Sequence, residues 1–254
     1  MSDVSDETRA VAERMGVPAL ALDVLEVREL GPALREVTVQ EPALATAQHH
    51  PGQDLTVSVP GGSRPLRRRY SIRRLDRTAA TADLDIVLHG DGPGARWASE
   101  VAAGDRVEAI GPRGKIWPDP EAAWHLFVGD ESYLGACAAM AESVSPATPA
   151  LVVLEHGDDV QPVPLGAAAV VAGPVWVRRN PVGGGAPGVG LIDALADLEL
   201  PDGPGHAYVG GEHHAVGAVR AALIGRGMAP EAISAKAYWR ERTPNGDHGE
   251  PFKD

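Results

Sequence analysis

The sequence predicts two units in series: an N-terminal antiparallel β-barrel followed by a C-terminal α/β unit with a parallel sheet. From residue 20 to about 110, short apolar-rich strands are separated by Gly/Pro turns with almost no helix, the pattern of a small barrel. After Pro118 the pattern becomes strands alternating with helices, which implies a parallel sheet covered by helices. The chain's 254 residues suffice for one large domain or two small ones. The expected division is a lead-in over 1–19, a barrel over 20–118 and an α/β unit over 119–254.

In the barrel, strands are expected at 24–30 and 34–39, joined by the turn signal Gly31-Pro32. The alternating segment 55–59 stops at Pro60-Gly61-Gly62, and 84–88 reads as another strand. Segment 95–102 is the exception, with Trp97, Ala98 and Val101 on one helical face. Segment 106–110 follows the Gly104-Asp105 turn and ends at Gly111-Pro112.

In the second half, 125–128, 151–154, 168–172, 206–209 and 233–238 read as strands; the near-continuous apolar run 151–154 suits a strand covered on both faces. Helices are expected at 132–142, 191–198 and 213–225, and 180–190, with its glycine triplet, reads as a loop.

Composition narrows the function classes. The formal charge of −12 argues against nonspecific nucleic-acid binding, which requires neutralising phosphates. No apolar run approaches the length of a membrane helix, so no integral membrane association is expected. The lone Cys137 leaves no material for a disulfide framework, a four-cysteine cluster or a zinc ribbon, and a reducing, cytoplasmic setting is expected. Adjacent pairs His49-His50 and His213-His214 point apart on a regular element, so no metal site is assigned.

The charge is unevenly spread. Seven arginines lie between Arg64 and Arg77, opposed locally only by Asp76. A guanidinium binds phosphate in a planar, bidentate manner, so an anion site is one reading and a solvated basic loop the other.

Four segments could carry chemistry. In Arg68-Arg69-Tyr70-Ser71-Ile72-Arg73 a strand places Arg68, Tyr70 and Ile72 on one face, a guanidinium beside a phenol. In the segment from His89 to Ala98, a Gly/Pro turn leads into a helix opening near Gly94 and Ala95, whose free amides suit a diphosphate. Gly129-Asp130-Glu131-Ser132 and Gly210-Gly211-Glu212 each run from a strand into a helix, where open α/β sheets hold ligands. Tyr238-Trp239-Arg240 concentrates aromatics at the last strand of a chain with only 11 of them. Each also has a plain structural reading: an edge strand, an ordinary turn, a connection, sheet-edge packing. Neither G-x-G-x-x-G, a Walker A loop nor a G-x-S-x-G elbow occurs at these sites.

Taken in order, these segments resemble the siderophore-interacting protein family of FAD-dependent ferric-siderophore reductases, within the wider ferredoxin–NADP reductase-like group. The likeness covers roughly residues 24–246. It rests on Arg68-Arg69-Tyr70-Ser71-Ile72-Arg73 against R-x-Y-[ST]-x-R, and on His89 with Gly92-Pro93-Gly94-Ala95-Arg96-Trp97-Ala98 against H…G-P-A-S-x-W-A. Further matches are Gly111-Pro112-Arg113-Gly114, Gly129-Asp130-Glu131-Ser132, Trp176-Val177-Arg178-Arg179, Gly211-Glu212 and Tyr238-Trp239-Arg240.

The resemblance implies a barrel that binds FAD and an α/β unit that receives NADPH or NADH. Arg68 would hold the FAD diphosphate, with Arg69 among the cofactor-binding residues, and Tyr70 would lie against the flavin ring with Ser71 near its N5. His89 would sit at the flavin edge, while Gly94, Ala95, Trp97 and Ala98 would form the diphosphate turn. Asp130, Glu131 and Ser132 would line the nicotinamide crevice, with Tyr238 and Trp239 also at the cofactors. The implied substrate is a ferric siderophore, with Arg240 and Arg242 as docking residues. No acid–base residue is nominated, because hydride transfer needs ring placement rather than proton transfer. Arg64, Arg67, Arg74 and Arg77 would be solvated.

The sequence departs from the family where G-D-E-T-A-L-P-A reads Gly129-Asp130-Glu131-Ser132-Tyr133-Leu134-Gly135-Ala136; this substitution could reshape the nicotinamide pocket. Arg178 stands where histidine is common, which favours a 2′-phosphate. A flavin reductase with another acceptor, and a flavin-binding protein without turnover, are the alternative readings.

Overall fold

The computed structural model describes residues 4–88, 92–158, 160, 165–167, 169–171, 173–179 and 188–240. The chain separates into two compact units, Met1–Trp117 and Pro118–Asp254.

The first unit opens with α1 (Asp6–Met15). Ser5 caps it, and Gly16 ends it in the left-handed conformation glycine adopts without penalty. Glu108, on a later strand, accepts from the Ser5 amide at 2.7 Å and the Ser5 hydroxyl at 2.6 Å, tying the cap to the barrel.

Six strands follow: β1 (Ala19–Gly31), β2 (Leu34–Gln40), β3 (Asp54–Val59), β4 (Leu66–Asp76), β5 (Thr81–Val87) and, after α2 (Pro93–Glu100), β6 (Arg106–Arg113). They close into an antiparallel barrel in the order β1-β2-β5-β4-β3-β6. Closure depends on β1, whose first half pairs with β6 and whose second half pairs with β2, with a register shift between Val24 and Glu26. Alternation supplies the core: Leu20, Leu22, Val37, Val39, Leu55, Val57, Leu84 and Ile86 all point inward.

β4 is mostly charged, yet it is central in the barrel because its neighbours answer it with carboxylates. Arg69 grips Asp54 on β3 at 2.6 Å, Arg74 meets Asp83 on β5 at 3.2 Å, and Arg73 lies 3.9 Å from Asp85.

The second unit contains β7 (Trp124–Asp130), α3 (Leu134–Ser143), β8 (Ala150–His156), β9 (Val175–Arg178), α4 (Val189–Asp197), β10 (Gly205–Glu212), α5 (His213–Gly225) and β11 (Ile233–Trp239). Its sheet is parallel, in the order β11-β10-β7-β8-β9. Trp124, Leu126 and Val128 on β7 pack with Leu191 and Leu195 of α4 and Val216, Val219 and Leu223 of α5. The alternate residues His125 and Phe127 stack with Tyr208 of β10. α3 is almost entirely buried, and its alanines present little bulk at positions 136, 138, 139 and 141.

The expected barrel and parallel sheet therefore form, with two local corrections. The strand expected at 168–172 is not found over its described residues 169–171, where Val170 makes one isolated bridge to Ala150; residues 168 and 172 lie outside the described residues. The fifth strand of the sheet is instead β9, whose four residues are too few for alternation to reveal it. The helix expected from residue 132 begins at Leu134, after a 3-10 turn over Glu131–Tyr133.

Candidate functional site

Arg68 and Tyr70 sit on β4 beside the start of α2. A Cβ on Gly94 would lie 3.0 Å from the Tyr70 hydroxyl and 3.2 Å from Arg68 Cγ, so glycine is what lets the helix approach this closely. The Tyr70 hydroxyl donates to the Gly94 carbonyl at 3.3 Å, and burial raises its pKa, with the Arg68 charge acting the other way. Trp97 stacks against the Tyr70 ring at 5.4 Å and 27°, and Trp97 and Ala98 are buried in the barrel core. Eight residues are too few for a helix to persist alone, so these two anchors hold α2 in place.

The start of α2 presents donors that suit an anion. Among the described residues no side chain caps it: Gly92 has none to offer and Pro93 has no amide hydrogen, which leaves the Gly94 and Ala95 amides as the first donors of the helix. Among the described residues, the Arg68 guanidinium meets no carboxylate; Nη1 donates only to the Arg67 carbonyl, at 2.8 Å. Most of its neighbours are engaged: Arg67 with Glu7, Arg69 with Asp54, Arg73 with Asp85, Arg74 with Asp83, and Arg77 with the Ala47 carbonyl. Arg67, Arg74 and Arg77 are thus partnered rather than merely solvated. A dinucleotide's diphosphate needs a cation and amide donors, and its flat ring needs an aromatic wall. Arg68, the first turn of α2 and Tyr70 provide that donor set, so the residues present fit FAD. Ser71 is buried and faces Asp54 across the β3–β4 ladder.

In the α/β unit, Asp130 at the end of β7 is a junction. It accepts from the Ser132 amide at 2.9 Å, the Ser132 hydroxyl at 2.5 Å, the Glu212 amide at 2.8 Å and the Trp239 indole at 2.9 Å. Burial, reinforced by the Glu131 charge, pushes its pKa up to about 6, while the Ser132 and Glu212 donors and Arg179 oppose that. Gly211, at φ +139°, leaves room for this carboxylate: a Cβ there would lie 2.6 Å from Oδ2. Glu131 accepts from Arg179 Nη1 at 2.9 Å and Nη2 at 2.7 Å, and Glu155 accepts from Arg179 Nε at 2.9 Å. Arg178 is exposed and paired with Asp158 at 2.7 Å.

Residues 122–242 match the family model for siderophore-interacting proteins, and 49–116 match the siderophore-interacting FAD-binding domain. An uncharacterized protein of Mycobacterium tuberculosis is 33% identical over 202 residues, 74% of this chain and 69% of that protein. The chain belongs to the siderophore-interacting protein family. The ferric vibriobactin reductase ViuB of Vibrio cholerae is 32% identical over 186 residues, 70% of this chain and 65% of its own length. A crystal structure of a siderophore utilization protein from T. fusca is similar with a TM-score of 0.80 and 28% identity, over 91% of this chain and 96% of that one. The barrel of this siderophore-interacting protein is accordingly a FAD-binding domain.

Within this siderophore-interacting protein, Arg68, Tyr70, Gly94 and Trp97 converge on one place, Ala95 follows Gly94 in the first turn of α2, and Ala98 anchors the helix in the barrel core. Arg69 is turned to Asp54. Asp130, Ser132 and Trp239 form one hydrogen-bonded cluster, Glu131 is held separately by Arg179, and Tyr238 packs edge-on to Tyr133 at 5.8 Å. Arg240 is exposed just after β11, whereas His89 and Arg242 lie outside the described residues. Arg179 and Glu155, which fix Glu131, carried no signal for that role: their pairing depends on β8 and β9 lying side by side.

Among the described residues no helix is long and apolar enough to cross a membrane, and no group of side chains could hold a metal ion.

Proposed function

We propose that this chain is an FAD-dependent oxidoreductase that passes electrons from NADH or NADPH to a ferric siderophore in the cytoplasm, reducing Fe(III) to Fe(II). The observation that carries the reading is the Arg68 guanidinium beside the uncapped first turn of α2, with Tyr70 as a neighbouring aromatic wall.

FAD, when bound, supplies the change from a two-electron donor to a one-electron acceptor. The chain's own work is placement. Arg68 with the Gly94 and Ala95 amides would bind the diphosphate by charge-assisted hydrogen bonds. Tyr70, backed by Trp97, would hold the ring in register, and its hydroxyl, engaged with the Gly94 carbonyl, fixes the phenol's orientation. Buried Ser71 would exclude water near N5. Exposed Arg240, with Arg242, would attract an anionic siderophore. Ferrous iron is a poorer match than ferric iron for hard oxygen donors, so reduction loosens the complex. The similarity to ViuB, named a ferric vibriobactin reductase, supports iron as the acceptor.

The test is anaerobic mixing of the purified yellow protein with NADH and NADPH, followed by a ferric siderophore with an Fe(II) chelator. Bleaching of the flavin band and coloured chelate are the expected results. A band that stays oxidised over minutes removes the reductase reading, and bleaching without chelated Fe(II) moves the acceptor elsewhere. One observation favours the alternative of a flavin protein without turnover: the buried Tyr133 ring at the ends of β7 and β10.

A further inference from the structure

We propose that Tyr133 is a built-in occupant of the nicotinamide platform, and that its ring must leave before a pyridine nucleotide can seat its reactive end. The inference rests on the pyridine-nucleotide reading above and concerns what controls that site.

β7 and β10 are neighbours in the parallel sheet, and near their carboxyl ends Gly129 pairs with Gly210. Ligands of open α/β sheets bind outside the carboxyl ends of the strands. Two side-by-side glycines there make a flat floor of bare peptide, a shape suited to a planar ring. Tyr133 lies on that floor. A Cβ at Gly129 would meet the Gly210 carbonyl oxygen first and would come 2.7 Å from Tyr133 Cδ1, and one at Gly210 would come 2.5 Å from Cδ2 and 2.8 Å from Cγ. The ring therefore lies against both glycines, and a side chain at Gly210 would expel it.

The placement is enforced by the neighbours of Tyr133 in the chain. The 3-10 turn Glu131–Tyr133 follows β7 directly; Ser132 is bound to Asp130 and Glu131 is held by both outer nitrogens of Arg179. Tyr238 on β11 forms a second wall, edge-on at 87°.

The hydroxyl indicates that this position is not the side chain's only one. Tyr133 is 3% exposed, and among the described residues its hydroxyl has no hydrogen-bond partner. A buried unpaired hydroxyl is disfavoured, a penalty relieved when it reaches water. Phenylalanine would fill the same space without that penalty. The tyrosine thus combines a ring that closes the platform with a polar atom that favours opening. Apparent nucleotide affinity is reduced by the fraction of molecules that are closed.

The experiment is a calorimetric titration of the FAD-loaded protein and its Tyr133→Ala and Tyr133→Phe variants. The probes are NAD+ or NADP+, whichever the unaltered protein prefers, and the matching fragment without nicotinamide, ADP-ribose or its 2′-phosphate. Tyr133→Ala is expected to tighten the dinucleotide by about tenfold, the tax of a site closed in roughly nine molecules of ten. Tyr133→Phe is expected to weaken it by about fivefold or more, because the ring stays and the buried-hydroxyl penalty goes. The fragment should bind all three proteins alike. Dinucleotide affinities within twofold across the three proteins, or fragment affinities that shift in parallel, overturn the inference. Tyr133→Phe keeps the ring, so it retains the test if Tyr133→Ala does not fold. If neither probe binds any of the proteins, the pyridine-nucleotide reading itself fails and this inference falls with it.

Discussion

The Trp239 indole donates to Asp130 Oδ2 at 2.9 Å, joining the end of the last strand to the end of β7 across 109 residues of sequence. Asp130 is 2% exposed, so each donor to it replaces lost water. Trp239→Phe keeps an aromatic ring and removes this donor. A loss of about 1–3 kcal/mol of unfolding free energy is expected at pH 8, read by urea denaturation. The sign of the pH dependence follows from the raised pKa. Asp130, at about 6 in the fold against about 3.9 unfolded, contributes stability below the unfolded value that is lost as pH rises through 6. Losing a donor raises the folded pKa further, so the deficit of Trp239→Phe should be smaller at pH 5 than at pH 8. An equal deficit at both would mean that the indole bond does not bear on the ionised carboxylate.

Arg68 and Arg74 provide a matched comparison on one strand. Arg74 is paired with Asp83, whereas Arg68 meets no carboxylate among the described residues. Arg68→Ala is expected to weaken FAD binding by about 1.5–3 kcal/mol, the range for a hydrogen bond to a charged group, or roughly ten- to a hundredfold. Arg74→Ala should retain flavin as the unaltered protein does. Fluorescence titration of the apoprotein with FAD measures both, and equal affinities for the two variants would remove Arg68 from the diphosphate site.

Most of the barrel was legible because its apolar residues alternate: Val37 and Val39 on β2, and Leu55, Val57 and Val59 on β3, enter one core. The charged strand β4 was less so, because what makes it a strand lies elsewhere in the chain, on Asp54, Asp83 and Asp85. The same limit applies to the site. Arg68, Tyr70 and Gly94 are local signals, a strand alternation and a Gly/Pro turn. The meeting of Asp130 with Trp239, and of Arg179 with Glu131 and Glu155, depends on strand order, which no local pattern encodes. Tyr133 stood out only as a departure from the family pattern; that its ring covers Gly129 and Gly210 follows from the register of two strands about 80 residues apart in sequence.

Arg179 carries two carboxylates that are both buried, Glu131 and Glu155. Removing one partner of such a group leaves charge without water or counter-ion, which costs about 3–5 kcal/mol. Arg179→Met is expected to lose stability in that range at pH 7. Glu155→Gln, which keeps an acceptor for Arg179 Nε and removes one buried charge, should lose less. Denaturation midpoints of the two variants decide the matter; a milder effect for Arg179→Met would show that water replaces the guanidinium.

His49 and Asp85 give the barrel two opposed pH dependences. Burial, aided by the Arg77 and His50 charges, lowers the His49 pKa to about 4, and among the described residues its Nε2 has no partner. The unfolded chain takes up this proton near pH 6.5, so His49 contributes stability above that pH that is lost as pH falls through 4. Burial, with the Glu36 charge, pushes Asp85 up to about 6, so its contribution runs the other way: present below about 3.9 and lost as pH rises through 6. In the unaltered protein the two slopes offset each other over much of the same window. His49→Phe should therefore leave a barrel whose stability falls more steeply from pH 4 to 6, and Asp85→Asn one whose stability rises over that interval. Unfolding free energies at pH 4, 5, 6 and 7 measure both. Parallel pH profiles for the two variants would show that neither group changes its proton affinity on folding.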